Sequence, residues 1–301
     1  MLISVVNHTN GKLTDEQIQA GIRAVNRQIA HDFSPHWHIG ADLRLEGSIG
    51  KRPDRTRLPE LRGDAIVYLW DSVRSVDDAV GFHESNAAGI PFGVVFTELV
   101  KEMDEPWTAT LSHEALELIG DPEVNLLVAG PHPADPDKEV FHWYEMCDAV
   151  QDEIYKIDGQ WVSNFVLPLY FTVGAEAGGR NDFLGRRYKG RALRSFGINP
   201  GGYIGFYNPK TGDDETVSLD GDRRAAKRLK VKSKAQITRR SMRYKLGIKY
   251  QDRVAEVASA ALARGAVEGA AAVRVVEPAE KLEPLAVRTL DVSTARRARN
   301  G

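Results

Sequence analysis

The chain has 301 residues, 42% of them hydrophobic, enough for one substantial core with an appendage or for two modest domains. Its 40 Lys and Arg against 42 Asp and Glu leave a formal charge of −2, so no global field draws it toward nucleic acid or an anionic membrane. A single cysteine, Cys147, excludes an internal disulfide and any multi-cysteine zinc site, so a metal must rely on His and carboxylates. The first residues carry no basic leader, and no run of about 18 apolar residues occurs, so a cytoplasmic protein with no membrane partner is expected.

Leu2 to Asn7 is a short β-branched run, broken by Asn10-Gly11, and predicts a strand. Thr14 and Gln17 have the capping-box spacing, and Ile18, Ile22, Val25 and Ile29 recur at helical intervals until Pro35. Ala41, Leu43 and Leu45 alternate with charged residues, as a half-buried strand does. Lys51 to Arg62 is basic, holds two prolines and predicts a loop. Ala65 to Trp70 is continuously apolar and suits a central strand covered on both faces. A stretch punctuated by Gly81, Gly89, Pro91 and Gly93 leads into a further strand, Val94 to Thr97.

The next helix carries the chemistry. Asp104 is placed to cap it, Pro106 to occupy its first turn, and Gly120 and Pro122 to end it. On a helical wheel Leu111, Ala115, Leu118 and Ile119 share an arc of roughly 100° and form a core face. His113, Glu114 and Glu117 gather on the side turned away from it. After residue 122 the chain turns irregular, with Pro131, Pro133 and Pro136, before an aromatic and acidic stretch, Phe141 to Asp148. Trp161 to Thr172 predicts a strand-rich closing segment, and from Gly174 to Gly205 periodicity is lost. Twelve basic residues and no acidic one lie between Arg223 and Lys249, and Val254 to Val273 is alanine-rich and helix-prone.

Residues four apart stack on one helical face, so His113 and Glu117 can grip one cation while Glu114 points beside it toward a water. That pattern suits metal-assisted hydrolysis, with Glu114 as general base. By chance a His-Glu-x-x-Glu string appears in roughly one chain of this length in forty, so its setting on a capped amphipathic helix matters more than the five letters. His31, His36 and His38 cluster in a polar turn and read as surface. His132 and His142 flank the candidate site, and Tyr144 and Tyr155 are candidate oxyanion stabilisers by analogy.

The order strand, long helix, three strands, then a helix bearing His113-Glu114 resembles the N-terminal subdomain of the zincin metallopeptidases over roughly residues 1 to 150. Glu117 stands where the familiar zincin motif has a second His. The string Ser112-His113-Glu114-Ala115-Leu116-Glu117, then Asp121-Pro122, then Glu145-Met146-Cys147-Asp148, is also similar to a group of proteins sharing Ser-His-Glu-x-x-Glu, Asp-Pro and Glu-x-Cys-Asp, a group that brings no firm activity with it.

The resemblance implies an α+β fold: a zincin-like mixed β-sheet with an active-site helix, plus a basic, partly helical C-terminal arm. The divisions expected are 1–175 for the metal-binding domain, 176–215 for a Gly-rich closing segment and 216–301 for the arm. It implies one divalent metal, zinc first, with manganese, iron or calcium as the alternatives for so hard a ligand set. The gluzincin arrangement makes Glu145 the third ligand beside His113 and Glu117, with Asp148 orienting His113. Gly120 with Glu123 fits the metzincin spacing instead, and Asp121 also lies within reach of the helix end. The expected function is a metallopeptidase acting on peptide or protein. The alternative is an inactive zincin-fold metal-binding protein acting through protein contacts of the arm, with nucleic acid the less favoured partner.

Overall fold

The structure, a computed structural model, describes residues 1–46, 63–72, 90–174 and 179–235. The expected loop Lys51 to Arg62, the glycines 81 and 89, the basic residues beyond 235 and the helix at Val254 to Val273 lie outside them.

Four strands form the first sheet: β1 (Leu2–His8), β2 (Asp42–Leu45), β3 (Ala65–Trp70) and β4 (Phe92–Phe96), in the order β2-β1-β3-β4. Helix α1 (Asp15–Gln28) joins the first two, and Thr14 and Gln17 close the expected capping box at its start. The chain stays helical past Pro35: a π turn, Ile29–Phe33, leads into the short α2 (Ser34–Trp37), which His38 ends at φ 56. Pro35 falls in the first turn of that segment, where its missing N–H costs nothing.

Every neighbouring pair in this sheet is parallel, with Ile3 opposite both Leu43 and Ala65, and Val67 opposite Gly93. Among the described residues the sheet is therefore wholly parallel, where a mixed one was expected. Parallel neighbours need long crossovers, and α1 and the long connections on either side of β3 provide the length. All six residues of β3 are buried, as its unbroken apolar sequence requires.

Helices α3 (Thr97–Glu102) and α4 (Trp107–Gly120) follow. Asp104 does not cap α4: it sits at φ 58 in the turn leaving α3, and Pro106 takes the extended cap position without a side-chain cap. Downstream, β5 (Leu127–His132), β6 (Asp135–Trp143), β9 (Tyr203–Asn208) and β10 (Asp213–Ser218) make an antiparallel sheet in the order β10-β9-β6-β5. Between them β7 (Ile154–Ile157) and β8 (Gln160–Ser163) form a hairpin on Asp158-Gly159, whose φ values of 50 and 80 suit a two-residue turn. Of the strand-rich segment expected at Trp161 to Thr172, only the first residues are strand, and Pro168–Phe171 is a 3-10 turn.

One apolar core, running from Ile3 to Val217, joins α1 and α4 to the first sheet and reaches Val140 and Phe206 of the second. Helix α4 packs against β4 and β3, α1 and β8, so Leu111, Ala115, Leu116 and Leu118 are all fully buried.

The start of the basic segment is folded rather than a free arm. Residues Arg223–Ala235 form helix α5, capped by Asp222 through the amides of Arg224 and Ala225. Arg228, only 3% exposed, bonds Glu105 just before α4, Asp152, and the carbonyl of Gly201 just before β9. Arg224 reaches Asp152 at 2.9 Å and Lys227 reaches Asp104 at 3.5 Å. The planar guanidinium of Arg228 thus ties three loops together. Replacing Arg228 by Met leaves the partly buried Glu105 without its cation and Asp152 with Arg224 alone, and should lower the unfolding free energy by about 3 kcal/mol in urea titrations.

Candidate metal centre

The rotational phase of α4 is set by a buried polar chain on the side facing α1. Ser112 Oγ donates to Gln28 Oε1 at 2.6 Å and accepts from the Ser163 amide at 3.1 Å. Gln28 in turn donates to the Ser163 carbonyl and to Tyr155 Oη, which donates to Asp32 at 2.6 Å. With Ser112 held there, the next residue, His113, must project toward the turn that follows β6.

That turn carries Glu145, Cys147 and Asp148, the last at the start of a short 3-10 segment, Asp148–Val150. His113 Nε2 lies 3.2 Å from Glu117 Oε2 and 3.3 Å from Asp148 Oδ1. Neither His113 Nε2 nor Asp148 Oδ1 has an aligned hydrogen bond, although both are fully enclosed. The other Glu117 oxygen accepts from the Cys147 amide at 3.2 Å, which fixes the carboxylate in place. Two overlapping groups are able to hold a metal ion: His113, Glu117 and Cys147, and Glu117, Glu145 and Asp148. Within each, the ligand atoms lie within 4.8 Å of one another. His113, Glu117 and Asp148 are each 3% exposed and Cys147 is fully buried, so the face expected to turn outward is enclosed by this turn and α5.

Burial opposes a charged imidazole, but Glu117 and Asp148 outweigh it and raise His113 to about 10. Burial and Glu117 push Asp148 up, yet Lys232, His113 and Glu145 hold it below the usual carboxylate range. Burial raises the Cys147 thiol well above its ordinary value, and Glu117 and Asp148 add to that, so without metal it is a thiol. A cation therefore finds Asp148 already ionised, whereas Cys147 must first lose a proton.

Lys232 of α5 completes the surroundings. Its ammonium donates to Tyr203 Oη at 2.6 Å and interacts with Asp148, Glu114 and Glu117, strongest first. Glu114 itself lies against β4, where a Cβ added to Gly93 would meet its carboxylate oxygen at 3.6 Å. Beside the His113 ring a cavity of about 30 Å³, room for about one water, is lined by Thr110, Gln151, Ser163 and Arg228.

The expected site residues divide clearly. His113, Glu117, Glu145 and Asp148 come together, and Glu114 lies beside them. Asp148 reaches His113 Nε2 directly, so it stands as a potential ligand as well as an orienting group. Asp121 instead closes the turn after α4, accepting from the amides of Asn125 and Leu126, and Glu123 is exposed beyond it. Tyr155 is committed to Asp32 and Tyr144 packs on Phe171 and Trp37. His142 bonds the Pro131 carbonyl, and burial lowers it to about 4, so it stays neutral. His31, His36 and His38 join no metal-capable group among the described residues. Sequence reasoning missed Lys232 and Tyr203; the only signal for Lys232 was its four-residue spacing from Arg228 and Arg224 in the basic run.

Searches of protein-family profiles, curated proteins and solved structures find no match to this chain. Among the described residues no helix is long and apolar enough to cross a membrane.

Because the folded value of His113 is raised above 6.5, its ion pairs stabilise the metal-free protein fully below about pH 6.5, and that stability is lost as pH rises through about 10. Urea titrations in chelator should show this decline, and His113→Gln should remove it. Gly202 packs against the turn that bears Asp148: a Cβ there would stand 2.3 Å from the Ala149 carbonyl oxygen and 2.8 Å from that of Asp148. Gly202→Ala should cost about 1–3 kcal/mol by the same measurement and weaken metal binding, because backbone rather than a flexible side chain must give way.

Proposed function

We propose that the chain is a metal-dependent hydrolase of zincin-like type, with one divalent cation, zinc first, held by His113, Glu117 and a carboxylate of the Glu145 to Asp148 turn. One observation carries the reading: an enclosed His113 Nε2 at ion-pair distance from two carboxylates, with no aligned hydrogen bond to either. Buried polar atoms in such a state are rare, and a shared cation satisfies them at once. The donor set fits, since imidazole and carboxylate are ordinary zinc ligands. A bound divalent ion would supply Lewis acidity toward a carbonyl and a more acidic water.

Glu114 is the base of this reading, one residue from the ligand and on the flank of the cluster. It removes the proton from the attacking water and returns it to the leaving amine. Glu117 is held by the Cys147 amide, and Asp148 keeps the imidazole oriented. Peptide is the proposed substrate class. Its support is the position of β4, the terminal strand of its sheet among the described residues, whose backbone at Gly93 passes beneath Glu114. An extended peptide added to a sheet edge would run past that carboxylate.

A second reading has its own observation. The cluster is enclosed, and closed coordination is the habit of structural rather than catalytic sites. On that reading the chain is an inactive metal-binding protein, working through contacts of the basic residues beyond α5.

The two part on a pair of variants. Purified protein should hold close to one equivalent of metal by elemental analysis, and His113→Ala should lose it. Glu114→Gln should keep the metal and lower cleavage of a peptide library by at least about a hundredfold. Metal retention without cleavage by the wild type would favour the inactive reading. Cobalt substitution reports the ligands: a sulfur-to-cobalt charge-transfer band places Cys147 in the shell, and its absence leaves the carboxylates.

A further inference from the structure

We propose that Lys232 is a built-in cation of this centre and sets how strongly the carboxylates take metal ions of different charge. The inference rests on the metal-centre reading above.

Arg224, Arg228 and Lys232 are four residues apart and share one face of α5. The two arginines are consumed at the rim by Asp152 and Glu105, which fixes the helix in position. Lys232 is one turn further along, and the same face carries its ammonium past the rim to Tyr203. Tyr203 opens β9, which packs on the 3-10 segment that Asp148 begins, so the ammonium is anchored through a phenol on the strand beside a candidate ligand. The charge lies where the acidic groups feel it, since Asp148, Glu114 and Glu117 are the first three partners acting on Lys232.

The charge balance gives this position a consequence. Counted at their formal charges, Glu114, Glu117, Glu145 and Asp148 contribute −4 around one imidazole, whose proton must leave when a metal binds. A divalent ion with Lys232 leaves the group at about −1, and without Lys232 at about −2, by simple addition of formal charges. The ammonium therefore repels an incoming ion, and the repulsion grows in proportion to the charge of that ion. A segment that looks like a tail for external partners works inward, restraining a strongly acidic pocket from overbinding hard, highly charged cations.

The test uses the full chain and two probe ions, Mn2+ followed by electron paramagnetic resonance and Tb3+ followed by luminescence, at one ionic strength. Lys232→Met should tighten Mn2+ at least about tenfold and Tb3+ at least about thirtyfold, the logarithmic gains standing near two to three as the ionic charges do. Lys232→Arg, which keeps the charge, should stay within about threefold of wild type. Circular dichroism checks folding, and Lys232→Gln replaces the Met variant if that does not fold. Unchanged or weaker Mn2+ binding without Lys232 overturns the inference, as does an equal gain for both ions, which would mean repacking rather than charge. If the wild type binds neither ion, the metal-centre reading falls and takes this inference with it. Binding by the wild type with no gain in the variant removes this inference alone.

Discussion

Two buried carboxylates, Glu117 and Asp148, meet an imidazole in a space that water barely enters, with Glu114 and Glu145 half-buried beside them, and the fold around them is organised to supply positive charge. An enclosed carboxylate without a partner costs several kcal/mol, more than a single hydrogen bond returns. Here the compensation comes from three sources: a His113 proton held by Glu117 and Asp148, the Lys232 ammonium, and amides such as that of Cys147. Only the first is exchangeable. A metal that binds must displace that proton, which couples metal uptake to pH and to stability through one side chain.

The same demand explains the architecture on either side of α4. Ser112 and Gln28 lock the helix against α1 and the β7–β8 hairpin, so that a rotation of the helix would break buried hydrogen bonds. On the opposite flank Arg228 binds Glu105, Asp152 and the Gly201 carbonyl, closing α5 over the turn that carries Asp148. The candidate ligands come from α4 and from a turn about thirty residues later, and neither flank alone would hold them in register. Preorganisation of this kind is what a metal site needs from its scaffold, because ligands left free to relax lose affinity to entropy.

Much of this was legible in the residues. The capping box at Thr14 and Gln17 and the buried strand Ala65–Trp70 formed where local chemistry placed them. The pairing of His113 with Glu117 follows from helical spacing, and the Glu-x-Cys-Asp string held three further members of the cluster. Other expectations failed for physical reasons. Asp104 lost the cap position because α3 ends in a left-handed turn at that residue. Pro35 did not end the helical run because it entered at a first turn. The direction of β4 depends on the path of a crossover, which no local pattern encodes.

By itself the sequence determined the mixed α and β character, the helical face that joins His113 to Glu117, and the exclusion of multi-cysteine or disulfide chemistry, because these follow from spacing and composition within one segment. Only the tertiary structure decided that this face is enclosed, that Asp148 rather than Asp121 reaches the imidazole, and that the basic segment at Arg223–Ala235 folds inward. Those outcomes rest on contacts between residues 30 to 130 positions apart, such as Arg228 with Glu105 and Cys147 with Glu117. Charge complementarity, not periodicity, chose those partners, and it acts only once the chain has brought them within a few ångströms.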